Sequence, residues 1–512
     1  MKLQINSETD DPTINLALDT IKINKQALIF VNTKKSAEKT AEDIAKRIKI
    51  NSESLSKLSE EILNSLSRPT KQCDRAAACI IKGIAFHHAG LHSKQRELIE
   101  ENFMNGTIKI ICSTPTLAFG VDLPAYRSII KDLRRYTQRG LAWIPVLEFL
   151  QICGRAGRPN YDKEGQAIAI AETSAEKSKI DEKYMNGQPE EIHSKLAVEP
   201  VLRTYVLSLI SSGFVKTKKE LLDFFSKTFY AFQFKEIRRI TNTITKTLDF
   251  LDGQEFIIRN AEEFSSADKI DDEYLRPTIL GKRIAELYID PLTASRIIMC
   301  LRNASGKKAN EFSFLQLICH TLELRPLLRV GIREHDKIQE ALIQHYDCLL
   351  EEEPSIYDIE YEDFFNSIKT SLMFCDWINE KDEGYLLEEY NIRPGEINAK
   401  LDIADWLLYA TEELCKLLHY QNLIKHIIKL RLRMKYGAKE ELLPLLRLEG
   451  IGKVRARMLF RNKIADIKDV KNAEFSALKQ ILGEKIALSV KRQVGDEGFG
   501  KNEVEISLSK WE

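Results

Sequence analysis

Three short apolar runs in the first 120 residues, each followed by a polar-fronted amphipathic stretch, constrain this chain's fold more than any other feature. "ALIFV" (27–31) leads into "NTKKSAEKTAEDIAKRI", and "GIAFHHAG" and "IKIICSTPT" repeat the pattern with "SKQRELIEENFMNG" between them. Strands that alternate with helices pair in parallel, because a parallel connection needs a crossover too long for a tight turn. The pattern therefore predicts a parallel α/β sheet, with ligands at the carboxyl ends of its strands. The loops at those ends read "NTKKSA", "HHAGLHSKQR", "STPTLAFGVDLP" and, after an excursion, "QICGRAGRP". Hydroxyls, small residues and cations dominate them, which suits contact with phosphate.

Length and composition set the remaining bounds. A chain of 512 residues has room for about three or four domains. Lys plus Arg and Asp plus Glu both total 76, so any contact with nucleic acid must come from a local patch. Nine cysteines occur singly with no C-x-x-C pair, which excludes a readable zinc knuckle or disulfide framework and fits a reduced cytosolic chain. The amino end has no apolar leader and no run approaches 18 apolar residues, so neither secretion nor membrane spanning is expected.

"QICGRAGRPN" places Arg155 and Arg158 three residues apart among glycines. A polyphosphate explains two neighbouring cations beside a closely approachable backbone, and a solvated Arg-Gly turn is the alternative. The surrounding motifs decide between them. "FVNTKKSAEKTA", "HHAGLHSKQRELIEENFMNGTIKIICSTPTLAFGVDLP" and "QICGRAGRPNYDKEG" stand in the order of motifs IV, IVa with V, and VI of the second RecA-like domain of superfamily 2 helicases, and resemble the Ski-like group in particular.

The resemblance implies that Gln151, Arg155 and Arg158 face ATP, with Arg158 as the arginine finger and Arg155 on the γ-phosphate. Gly120, Asp122 and Gly154 would lie near the nucleotide. Asp122 stands where the family often carries Asn. Thr33, His88, Thr114 and Thr116 are assigned to nucleic acid. Three histidines within six residues, His87, His88 and His92, also invite a metal reading. No carboxylate or cysteine is spaced to complete such a site, so no metal is expected there, and His87 and His92 read as structural.

Helicase chemistry further needs a G-x-x-x-x-G-K-[ST] loop and an acidic box that holds magnesium. The Gly-Lys pairs at 281, 306, 452 and 500 lack the earlier glycine, the following hydroxyl, or both. The expectation is therefore the carboxyl-terminal part of a helicase: a split subunit, a fragment, or the product of a gene whose start lies upstream. ATP and magnesium sites would be completed by a first RecA-like domain, in trans or from an upstream segment, and this chain alone would be inactive.

The rest of the chain reads as mainly helical. Residues 1–194 are expected to form the RecA-like domain, with a β-hairpin inserted at about 127–149 around "YTQRG". In DNA-unwinding relatives such a hairpin separates strands, which puts Tyr136 on the last base pair; an ordinary surface hairpin is the alternative. Residues 195–295 suit a winged helix, because three helices precede a small hairpin and "LRPTILGKRIAELYIDPLTA" resembles the end of that domain in Ski-like helicases. Residues 296–430 resemble a helical ratchet bundle. There Ile403, Leu407, Ala410, Leu414 and Leu417 form the expected buried stripe and leave Trp406 off its centre. Periodicity favours a buried tryptophan and the resemblance favours a base-stacking one, with Lys400 as the nearest cation. Residues 431–512 carry "LEGIGKVRARML", a helix-hairpin-helix signature in which Gly450 and Gly452 present amides to a phosphate beside Lys453 and Arg455.

The whole resembles an archaeal fork-repair DNA helicase related to the polymerase theta helicase domain. The resemblance implies 3′–5′ translocation on single-stranded or forked DNA in repair and restart of stalled forks, in the cytoplasm at the nucleoid. A Ski-like RNA helicase fragment and a non-catalytic single-strand-binding protein are the alternatives.

Overall fold

The computed structural model describes residues 5–50, 52–66, 69–120, 123–137, 140–157, 162, 164–234, 237–260 and 273–495. The chain divides into two compact units: Met1–Ile192 with Asp382–Ala399, and His193–Lys381 with Lys400–Glu512. Among the described residues no helix is long and apolar enough to cross a membrane.

The first unit is built on the parallel sheet that the sequence predicts. Strands β1 (Ala27–Phe30), β2 (Ile84–His87), β3 (Ile110–Ser113), β4 (Arg127–Ile130) and β7 (Gln166–Ala169) lie in the order β2-β3-β1-β4-β7. Every pairing is parallel, with Ala27 opposite both Ile110 and Arg127. All residues of β1 to β4 are buried, as expected of strands covered on both faces, whereas the edge strand β7 is partly exposed. Helices Lys34–Ala45, Lys71–Ile80 and Ser93–Met104 form the crossovers, their starts capped by Thr33, Thr70 and His92.

The strand ends are tied together just where the sheet opens to solvent. Val31 N–H donates to Ser113 (2.9 Å), Lys131 N–H to Phe30 (3.0 Å) and Thr114 N–H to His87 (3.3 Å). Between β4 and β7 the hairpin strands β5 (Arg134–Thr137) and β6 (Gly140–Trp143) pair antiparallel, Tyr136 opposite Leu141. Residues 382–399, which the sequence groups with the helical bundle, pack in this unit. Gly395 N–H donates to Gly90 (3.1 Å), and a Cβ on Gly395 would sit 2.3 Å from the carbonyl oxygens of Ala89 and Leu91.

In the second unit helices Glu199–Ser211, Lys218–Ser226 and Ile237–Gly253 precede the antiparallel pair β8 (Ile257–Asn260) and β9 (Tyr274–Pro277). Thr217 bridges Tyr274 on the outer side of β9. Helix Ile279–Leu287 follows so tightly that a Cβ on Gly281 would lie 1.8 Å from the Phe256 carbonyl oxygen. A set of longer helices comes next, including Glu311–Cys319, Tyr361–Ile378, Pro394–Leu417 and Gln421–Tyr436. Within Pro394–Leu417 the buried positions are Pro394, Ile397, Ala404, Leu407, Leu408, Ala410, Thr411, Glu412, Leu414 and Cys415, so Ile403 and Leu417 of the expected stripe fall at its margins. The shift arises because this helix is packed along a face wider than a single row.

Four short helices, Lys453–Arg461, Ile467–Asn472, Phe475–Leu482 and Glu484–Gln493, close the described chain around a core that includes Leu445, Ile451, Ala456, Leu459, Leu478 and Val490. Trp377 joins this group to the bundle. Its indole donates to the Met434 carbonyl (2.7 Å), and its ring occupies the space where a side chain on Gly437 would be, at φ +59°.

The glycines yield a paired prediction. Gly281→Ala forces a methyl into backbone and is expected to lower the unfolding free energy by about 1–3 kcal/mol or more. Gly452→Ala, with nothing within 4 Å of the new Cβ, is expected to melt as the parent does. Thermal and urea unfolding followed by circular dichroism check both.

Candidate functional site

Helix Val146–Cys153 carries the arginine loop and is held at both ends. Its first amides, Val146 and Leu147, donate to the two oxygens of Glu190 (2.7 and 3.2 Å), an acid at the positive end of the helix. At the other end the buried Ser128 hydroxyl of β4 donates to Ile152 (2.7 Å). Beyond Gly154 the chain is stitched to the loop before β4: Ala125 N–H donates to Arg155 (2.9 Å) and Gly157 N–H donates to Ala125 (2.6 Å). Gly157 has φ +96°, and a Cβ on Gly165 would lie 2.3 Å from the Gly157 nitrogen. Here the glycines serve a backbone-to-backbone approach.

That stitching aims Arg155 at helix Thr116–Gly120, where its Nε and Nη2 donate to the Ala118 carbonyl (3.2 and 2.5 Å). Arg155, Gly154 and Gly120 are thus brought into one region, with Gln151 exposed one turn back on the helix. Arg158 and Asp122 lie outside the described residues, as does the side chain of Tyr136. At the root of the hairpin the Arg134 guanidinium stacks on Trp143, 4.2 Å from its centroid.

Thr33 is exposed and accepts from Ser36 N–H as a helix cap (3.0 Å). Thr114 is buried beneath Thr116, their hydroxyls 2.9 Å apart, so Thr116 is the accessible member of the pair.

His88 corrects the sequence reading. Its side chain is fully buried, with Nε2 3.1 Å from Glu38 and Nδ1 accepting from Gly90 N–H (3.2 Å), so neither nitrogen reaches a ligand. It shapes the loop instead. Glu38 also accepts from Gln72 (2.9 Å), Arg75 (2.6 Å) and Arg393 (3.1 Å). Burial alone would raise the Glu38 pKa, but the His88 bond, Arg393 and Gln72 together pull it far below the carboxylate range. His87 pairs with Glu100 (2.7 Å), and His92 caps helix Ser93–Met104.

In the second unit Trp406 is half-exposed, and its indole N–H donates to the Leu287 carbonyl (2.9 Å). Its ring lies off the buried face. Lys400 is a second correction, since its ammonium donates to the Leu324 and Pro326 carbonyls (3.4 and 2.5 Å) and its charge is spent within the unit. Gly450 has φ +81°, and Gly452 caps helix Lys453–Arg461. The exposed Arg455 donates to the Gly450 carbonyl (2.9 Å), while the Lys453 ammonium lies over the Trp377 ring at 4.8 Å. Arg457 pairs with Glu380 and Glu441, and in the flanking "KLRLRMKYGAK" Arg431 pairs with Asp405 and Glu412, Arg433 with Glu311, and Lys429 with Glu440. The broad basic surface expected there is mostly internal ion pairing.

Sequence reasoning missed Glu38, Glu190 and Trp377. It also missed an offset repeat within the last helices: Gly483 at φ +81° opens helix Glu484–Gln493, with Ala487 and Val490 buried as Ala456 and Leu459 are after Gly452.

Two family models match the chain, "Archaeal helicase, domain 4" over residues 312–437 and "Helicase conserved C-terminal domain" over residues 64–160. The ATP-dependent DNA helicase Hel308 of Methanococcus vannielii is 38% identical, the match covering 92% of this chain and 66% of that protein. Those of Pyrococcus horikoshii and Pyrococcus abyssi are each 37% identical, covering 94% of this chain and 66% of theirs. The chain spans just under two thirds of these relatives.

The histidine cluster gives a pH prediction. Burial, opposed by the Glu38 bond, lowers the His88 pKa from 6.5, so the folded protein holds the ring neutral while the unfolded chain takes up a proton. The stability this contributes is present above pH 6.5 and is lost as pH falls towards the folded value. Urea titrations between about pH 5 and 7 are expected to show stability falling with pH, and His88→Gln, which keeps a donor to Glu38, to flatten that slope.

Proposed function

The chain is a partial-length homologue of the archaeal Hel308-type ATP-dependent DNA helicases, and on that premise we propose that it is the carboxyl-terminal part of a 3′–5′ helicase acting on single-stranded or forked DNA in fork repair and restart. The observation that carries this reading is the bond from Arg155 to the Ala118 carbonyl. It joins the loop that bears the accessible Thr116 to the loop that bears Gly154 and the two arginines. In this reading the joined element senses phosphate charge and moves a strand contact.

In this reading Gln151, Gly154, Arg155 and Gly120 lie against ATP and its magnesium, completed by a first RecA-like domain. The ATP supplies the phosphoryl group whose spreading charge Arg158 stabilises. Thr33 and Thr116 hold strand phosphates, and Tyr136 sits at the duplex junction. The three helices with β8 and β9 act as a winged helix that braces the enzyme. Trp406 stacks on a base from the ratchet helix, and the Gly450–Gly452 turn and the offset turn at Gly483 form a helix-hairpin-helix domain. Support for that last assignment comes from the open space over Gly452 and the exposed Arg455 beside it.

Mixing the chain with the first RecA-like domain of a Hel308 relative is expected to produce DNA-stimulated ATP hydrolysis that neither part has alone. Arg158→Ala should reduce that turnover by roughly a thousandfold and leave strand binding intact. Unchanged turnover in that variant, or robust hydrolysis by the isolated chain, overturns the reading.

The DNA contacts are separable by salt. Replacing Lys453 and Arg455 by Ala is expected to weaken binding of a labelled oligonucleotide and to reduce the salt slope by about one to two units. Trp406→Ala should weaken binding with the slope unchanged, because stacking releases no counterions. Fluorescence anisotropy across a salt series measures both.

A further inference from the structure

The residues that follow β7 have no part in the proposed nucleotide or strand contacts, yet they make the bonds that connect those two regions. Helix Ser174–Ile180 runs into a π-helical turn, Asp181–Met185, an uncommon geometry that recurs at functional positions. The wide turn ends at Gly187, where a Cβ would lie 1.7 Å from the Lys183 carbonyl oxygen, so the sequence fixes its width. Its product is the placement of Tyr184, which is 3% exposed.

Tyr184 touches both neighbours. Its ring stacks on Phe149 of helix Val146–Cys153 with centroids 4.4 Å apart, and meets the edge of Trp143 on β6 at 6.2 Å. Its hydroxyl donates to the Ile144 carbonyl (2.8 Å) at the joint between hairpin and helix, where Ile144 N–H donates to Leu133 (2.9 Å). A second connection runs beside it: Arg135 of β5 donates to the buried Glu148 of the same helix (3.0 Å). Glu190, from the end of this segment, completes the assembly by capping that helix.

We propose that Tyr184, Glu190 and the Arg135–Glu148 pair form a transmission that makes the hairpin and the arginine-bearing helix move as one body, so that displacement of Arg155 and Arg158 by the nucleotide is delivered to the duplex junction. The proposal rests on the helicase reading above. Its residues are positioning residues, since none touches nucleotide or strand. Burial raises the Glu148 pKa, an effect opposed by Arg135 and reinforced by the nearby Glu190. A charge-assisted hydrogen bond from the partly exposed Arg135 engages the buried Glu148 carboxylate. The aromatic contacts supply the stiffness, because a packed ring has no intermediate position to yield into.

The test uses the chain itself with a forked DNA and amide hydrogen exchange read by mass spectrometry. The parent is expected to show slower exchange on DNA addition in both the hairpin peptide and the peptide covering 146–155. Tyr184→Phe combined with Glu148→Gln removes the hydroxyl bond and the ion pair while keeping shape. It should retain the hairpin response and lose the response in the helix, whereas Arg135→Lys, which preserves the charge, should retain both. Circular dichroism establishes that each variant is folded, and the readout is the change caused by DNA, which a merely structural weakening would not abolish. A double variant whose helix still responds overturns the transmission. A parent whose hairpin responds and whose helix does not overturns it as well and leaves the helicase reading standing. A parent in which neither responds overturns the hairpin's role in that reading and the transmission with it.

Discussion

Glu38 is the constraint on which the first unit depends. Taking a carboxylate out of water costs several kcal/mol, and only good geometry with every lone pair engaged repays it. Glu38 meets that condition with four donors from three separate segments: Gln72 and Arg75 on one helix, His88 after β2, and Arg393 from residues far along the chain. A charge so held fixes the relative places of all of them. The loop after β2 is thereby held against Gly395 by backbone contact, and Thr33, which starts the helix that carries Glu38, is set beside it. The loops at the strand ends owe their shape to a buried group behind them.

How much of this was legible in the sequence follows from what each signal measures. Apolar runs report burial on both faces of a strand, so β1, β2 and β3 and their parallel pairing could be read directly. The turn at Gly450 is local and was equally plain. Glu38 was not, because "SAEKTAED" has the composition of a surface helix and its partners are distant in sequence. The same holds for Lys400, whose carbonyl acceptors come from a loop about 75 residues earlier, a separation at which spacing carries no information. His88 was misplaced for a related reason: a histidine at a strand end can face the ligand or the core, and only its tertiary partners decide.

Glycine was the most misleading residue. In "GRAGRP" it suggests a backbone that approaches a phosphate, and at Gly154 the geometry is compatible with that. Gly157 instead abuts Gly165, Gly395 abuts the carbonyls around Gly90, and Gly281 abuts Phe256. In all three, two strands of backbone come closer than any Cβ allows, which joins segments that the sequence keeps apart. The same residue thus serves ligand approach and internal approach, and the two are told apart by what fills the missing Cβ position. Gly452 has nothing within 4 Å of that position and makes no such internal approach.

The neutral composition acquires a meaning from the same bookkeeping of partners. Four of the ten lysines and arginines between 425 and 460 are matched by carboxylates: Arg431, Arg433, Lys429 and Arg457 each have a named acid. Such pairs release few counterions on meeting DNA, so they contribute little to affinity however basic the sequence reads. Arg455 is exposed and donates to the Gly450 carbonyl, whereas the Lys453 ammonium lies over the Trp377 ring. An exposed arginine at a glycine turn attracts an anion locally, because screening by salt limits its reach to about 10 Å, and a neutral composition adds no wide field to it.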